Sequence, residues 1–119
     1  MQNNEKFEFL VNESKKTFTI LLKGFWSPET VDALIKNYHV ETKKIKVSNY
    51  SIIVDANGLK TSKMDMTPLM GKCMQMYFDT GFNQVFLVEP ESPTSAIQMK
   101  SALKAFPKLK YLKSVNSIL

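Results

Sequence analysis

The sequence predicts one mixed-sheet α/β domain over residues 1–119, with about five strands and three helices in the order β-β-α-β-α-β-α-β. Three observations carry this prediction. Two β-rich runs stand together near the amino end. Three later segments each open on a hydroxyl residue followed by proline (Ser27-Pro28, Thr67-Pro68, Ser92-Pro93) and continue with apolar residues at helical spacing. Short apolar runs bounded by Gly or Pro separate those segments, as expected of strands buried within a parallel sheet. A chain of 119 residues is long enough to bury one core without covalent staples.

Phe7, Phe9 and Val11 alternate with polar Glu8 and Asn12, so residues 6–12 read as a half-buried strand. After a turn over residues 12–16, TFTILLK (residues 17–23) forms a second strand with Phe18, Ile20 and Leu22 on one face. The two pair as a hairpin. Gly24 ends that strand. Ser27 supplies an N-cap, Pro28 a preset first turn and Glu29 a charge suited to the positive end of the helix dipole. Val31, Leu34, Ile35 and Tyr38 form the apolar stripe of this helix, which runs to about Thr42. Trp26, just ahead of the cap, packs as a staple residue.

The third strand is YSIIVDA (residues 50–56). Its continuous Ile52-Ile53-Val54 predicts cover on both faces. The second helix, capped at Thr67-Pro68, turns Leu69, Cys73, Met76 and Tyr77 inward and stops at Asp79-Thr80-Gly81. QVFLVEP (residues 84–90) is the next buried strand. The third helix carries Ala96, Ile97, Met99, Leu103 and Phe106 and breaks at Pro107, and a last short strand lies near residues 109–115. Helices alternating with buried strands imply right-handed parallel crossovers.

Composition narrows the classes of function. Hydrophobic residues make up 44% and charged residues 23% of the chain. No apolar run approaches the roughly 20 residues that span a bilayer, and MQNNEKFEF lacks the basic-then-apolar pattern of a secretory signal. A cytoplasmic protein without a membrane partner is expected. Cys73 is the single cysteine, so no internal disulfide forms, and its setting in LMGKCMQMYF predicts a buried, inert thiol. The net charge of +5 comes from lysine alone, with 16 Lys and no Arg, spread along the chain. Nucleic-acid readers favour Arg for bidentate contacts, so no nucleic-acid partner is expected.

Catalytic chemistry is equally thin. His39, the only histidine, falls near the end of the first helix, where it complements the dipole. No Cys/His set has metal-ligand spacing, and neither a G-x-S-x-G elbow nor a phosphate-binding glycine motif occurs. Gly58 in DANGLK reads as a turn residue with positive φ. Asp55 and Asp65 are the one conceivable carboxylate pair for Mg²⁺, but Asp55 is better explained by bonding backbone in its own turn. No enzyme activity, cofactor or metal site is expected.

With that order in hand, several stretches resemble the STAS domain of bacterial anti-sigma factor antagonists, over about residues 6–116. They are LLKGFWSPETVDAL (residues 21–34), IIVDANGLK (residues 52–60), the helix from Pro68, and GFNQVFLVEP (residues 81–90). The resemblance implies a regulatory domain that works by binding a protein partner. Antagonists of this type carry Asp-Ser-Ser-Gly at the start of the second helix, and its serine is phosphorylated by a partner kinase. Counted from Asp55, that element falls on Lys63, Met64, Asp65 and Met66, so it is absent. Ser62, Thr61 and Thr67 are hydroxyls nearby without the motif. Asp65 admits two readings: a favourable first-turn acid, or a fixed negative charge that imitates the phosphorylated state.

Met64, Met66, Met70, Met74 and Met76 crowd the second helix and the loop before it. They either fill the core or present a soft apolar strip for docking. The preferred reading is a non-catalytic STAS-like regulatory module whose docking face is loop 57–67 with the first turns of the second helix. Asn57, Thr61, Ser62 and Asp65 supply polar contacts there, and Met66 and Met70 apolar ones. Self-association through that patch is one form such docking takes. The alternative is a module that holds a small hydrophobic ligand, such as a lipid, in a cavity beneath the same helix.

Overall fold

Two antiparallel strands begin the computed structural model, which describes residues 6–60 and 67–112. β1 (Phe7–Asn12) pairs with β2 (Thr17–Gly24), Phe7 opposite Leu22 and Asn12 opposite Thr17. The Asn12 side chain accepts from the Lys15 N–H at 3.0 Å and closes the turn, and Lys16 takes the left-handed conformation (φ 55°) before β2 begins. Short polar side chains that bond nearby backbone favour such turns.

The remaining strands run parallel to β2: β3 (Ser51–Leu59), β4 (Val85–Val88) and β5 (Lys110–Leu112), in the spatial order β1-β2-β3-β4-β5. The crossovers carry α1 (Pro28–Thr42), α2 (Thr67–Thr80) and α3 (Pro93–Ala102). A 3₁₀ turn, Val47–Asn49, leads into β3. The predicted class and element order hold. Ser27 caps α1 by accepting from the Thr30 N–H, and Ser92 caps α3 by accepting from Ser95. Thr67 is itself the first residue of α2 rather than its cap.

Because each parallel neighbour follows the last in sequence, right-handed crossovers stack all three helices on one face of the sheet. The core sits there. Phe18, Ile20, Ile52, Val54 and Leu87 from the strands meet Val31, Leu34, Tyr38, Met74, Tyr77 and Met99 from the helices. The Ile52-Ile53-Val54 run is buried on both faces of β3, as expected of it, although the helices cover only one of them. Ile53 belongs to the opposite face, in register with Thr19 and Phe86, and it is nonetheless 1% exposed.

Trp26 fulfils its staple role. It is buried against the same core as Val31, the residue one helical turn past the cap, and its indole N–H donates to the Lys23 carbonyl at 3.0 Å. α3 is shorter than predicted. The helix ends at Ala102, and Phe106 follows a turn to stack on Phe78 of α2, ring centroids 5.8 Å apart and nearly parallel. Of the predicted last strand, residues 113–115 lie outside the described residues.

Candidate functional site: the carboxyl edge of the sheet

Three loops meet where the parallel strands end, and backbone hydrogen bonds tie them together. β3 runs three residues beyond the predicted Ala56, and its pairing with β2 slips by one residue between Leu21/Asp55 and Lys23/Gly58. The extra residue on β3 carries the strand around Asn57. Asp55 accepts from the Asn57 N–H at 3.0 Å, so its carboxylate is used in the local turn, as expected of it. The Asn57 carbonyl accepts from the Glu91 N–H at 3.2 Å, which joins the β3 loop to the β4–α3 loop. Lys60 N–H donates to the Gly24 carbonyl at 3.0 Å, which joins it to the β2–α1 loop.

Gly58 departs from the sequence reading. It lies within β3 without positive φ, and a Cβ there would stand 3.1 Å from the Lys23 Cβ and 3.3 Å from the Leu22 carbonyl oxygen. Glycine is used for close approach of two strands, not for a left-handed turn. The positive φ falls instead at Gly24 (77°), where β2 turns toward α1.

The structure places Asn57 exposed at this edge and Met70 half-buried on the first turns of α2, packed against the core. Thr61, Ser62, Asp65 and Met66 lie outside the described residues. Met74 is buried in the core, so the inner part of the methionine group fills volume between the helices and sheet. One residue of this edge was not singled out from sequence. Phe25 is 58% exposed beside Gly24, and its carbonyl accepts from Lys6 Nζ at 2.6 Å. The available signal was an aromatic residue placed directly between a strand-ending glycine and a helix cap.

Beneath the same edge lies an apolar cavity of about 100 Å³, lined by Leu22, Trp26, Val54, Leu59, Met70 and Cys73 among others, with Lys60, Ser95 and Gln98 among its polar members. Burial pushes the Cys73 thiol up to about 11, against a smaller opposing pull from Lys72. Burial also raises the Tyr77 hydroxyl. Both stay neutral at physiological pH, so the cavity holds no thiolate nucleophile. No group of three His, Cys, Asp or Glu among the described residues is arranged to hold a metal ion. His39 is exposed in the last turn of α1, edge-on to Tyr38.

No protein-family model and no curated protein matches the sequence. Solved structures do match the fold. The anti-sigma factor antagonist SpoIIAA in its unphosphorylated form superposes with a TM-score of 0.65 at 17% identity, covering 94% of this chain and 92% of that one. An uncharacterised protein of the DUF3478 family with a SpoIIAA-like fold, from Shewanella loihica PV-4, superposes with a TM-score of 0.62 at 11% identity, covering 98% and 94%. The chain therefore has the SpoIIAA-like fold that the sequence resemblance implied. No helix among the described residues is long and apolar enough to cross a membrane.

Proposed function

We propose that this chain is a non-catalytic STAS-like regulatory module that acts in the cytoplasm by protein–protein recognition. Its docking face is loop 57–67 with the start of α2. The observation that carries this reading is the carboxyl edge itself. Backbone bonds tie Lys60 to Gly24 and Glu91 to Asn57 there, Phe25 projects beside Gly24 at 58% exposure, and Asn57 is exposed. A fixed backbone carrying an exposed aromatic residue and a polar rim suits recognition of a protein surface. The likeness to an anti-sigma factor antagonist adds support at the level of fold. In this reading Asn57, Thr61, Ser62 and Asp65 make polar contacts, and Met66, Met70 and Phe25 make apolar ones.

The test is affinity capture from the native host with wild type, Phe25→Ser, Met66→Lys and, as a control in the last turn of α1, Val40→Ser. A protein retained by wild type and Val40→Ser but lost with both edge variants supports the docking face. Equal capture by all four refutes it.

The apolar cavity favours a second reading, a small hydrophobic ligand beneath α2. An engineered dry cavity of about 150 Å³ accepts benzene, so one of about 100 Å³ accepts only a smaller group unless α2 or α3 shifts. Native mass spectrometry of protein from the host decides this point. A dissociable adduct supports the reading, and bare protein throughout removes it.

A further inference from the structure

β1 is the outer strand of the described sheet, and Glu8 is its one charged residue. Its pairing with β2 is unbroken over six residues, and it contains no proline. Natural edge strands are protected by such interruptions or by charged side chains, lysine especially. Lys6, the lysine nearest this edge, directs its Nζ to the Phe25 carbonyl. Leu10 and Val11, adjacent on β1, are 44% and 42% exposed.

The ladder shows which backbone groups are available. Lys23 N–H donates to the Lys6 carbonyl, which makes Lys6 and Lys23 a hydrogen-bonded pair. In an antiparallel ladder such pairs alternate, so Glu8, Leu10 and Asn12 bond inward to β2. The N–H and C=O groups of Phe7, Phe9 and Val11 point out of the sheet.

We propose that β1 pairs antiparallel with β1 of a second copy about a two-fold axis at Leu10, joining the two five-stranded sheets into one. Outward groups must meet outward groups, which limits the registers. Centring on Glu8 sets two carboxylates face to face, and centring on Phe9 sets Glu8 against Leu10. Centring on Leu10 pairs Glu8 with Asn12 of the second copy and Phe9 with Val11, and packs Leu10 on Leu10. That register meets no like charge and covers both exposed apolar side chains. It also continues the groove on the face away from the helices, where Leu10 lines a wall with Thr19, Leu21 and Ile53. The second copy is the fitting occupant because in this register one β1 meets another with no like charges opposed and with Leu10 and Val11 covered.

Sedimentation equilibrium of the full chain tests this directly. The expected mass is twice 13.6 kDa. Val11→Pro removes an outward N–H and no bond to β2, and Leu10→Lys places two ammonium groups across the axis. Each is expected to weaken self-association at least about tenfold, since like charges or a lost cross-strand pair oppose pairing. Circular dichroism should be unchanged in at least one of them. Register is read by oxidation. Non-hydrogen-bonded partners lie about 4.5 Å apart at Cα, within disulfide reach. Leu10→Cys should therefore crosslink and Asn12→Cys should not. A monomeric wild type, a dimer that survives both variants, or crosslinking at Asn12→Cys instead of Leu10→Cys overturns the proposal.

Discussion

The hydroxyl of Tyr38 on α1 lies 2.6 Å from the hydroxyl of Thr80 at the end of α2. Thr80 spends its own proton on the Met76 carbonyl at 2.7 Å. Tyr38 is therefore the donor, and Thr80 relays the bond into the backbone of α2. Tyr38 is fully buried, touching Phe18 and Tyr77 as well.

That direction makes the two ends of the bond unequal. Tyr38→Phe removes a donor and leaves Thr80 bonded to Met76, for a loss of about 1 kcal/mol. Thr80→Val strands a buried phenol and should cost about 1–3 kcal/mol. Urea unfolding of both variants checks the order. Equal losses would show that the hydroxyl finds another partner.

Alkaline pH should destabilise the fold ahead of ordinary base denaturation. Burial raises Cys73 from 9.0 to about 11 and Tyr38 from 10.0 to about 12. The unfolded chain releases these protons first, so their stabilising contribution is complete below pH 9. It falls as pH rises from about 9 to 11 for Cys73 and from about 10 to 12 for Tyr38. Each group contributes on the order of 2–3 kcal/mol over its window. Denaturant midpoints measured from pH 8 to 11 should drop for wild type, and the drop should begin about one unit later in Cys73→Ala.

Two glycine replacements should move stability in opposite directions. Gly58→Ala forces a methyl against the Lys23 side chain and the Leu22 carbonyl, and should cost about 1–3 kcal/mol. Gly71 stands in α2 with nothing within 4 Å of a Cβ, so Gly71→Ala should add about 0.5–1 kcal/mol. Thermal midpoints report both. Stabilisation by Gly58→Ala would mean that β2 and β3 are less closely apposed than the register implies.

The cavity beneath α2 forgoes packing worth on the order of 2 kcal/mol at about 24 cal/mol per Å³. Val54→Ile, pointing into it from β3, should be neutral or stabilising by up to about 1 kcal/mol. Leu87→Ala, which enlarges the same space, should cost about 2–5 kcal/mol. A destabilised Val54→Ile would indicate that the void is not shaped to accept an added methylene.

Helix starts and the order of elements were legible in the sequence because their causes are local. Ser27-Pro28 and Ser92-Pro93 set a cap and a first turn within four residues, and Trp26 anchors to a carbonyl three residues away. Periodicity likewise assigned Val31, Leu34 and Tyr38 to the core, since a helix face repeats within one turn. Gly58 was misread for the complementary reason. Its requirement comes from Lys23 across the β2–β3 ladder, and that approach depends on a slip in register that no local signal encodes.

Tertiary structure alone decided which face of β3 the helices cover, that the methionines of α2 turn partly inward around a cavity, and that Phe25 emerges at the edge where three loops are tied. Each depends on pairings between segments tens of residues apart in the chain. A sequence specifies the hydrophobic faces that drive such pairings, but only the packed sheet fixes their register, and with it which side chains remain for a partner.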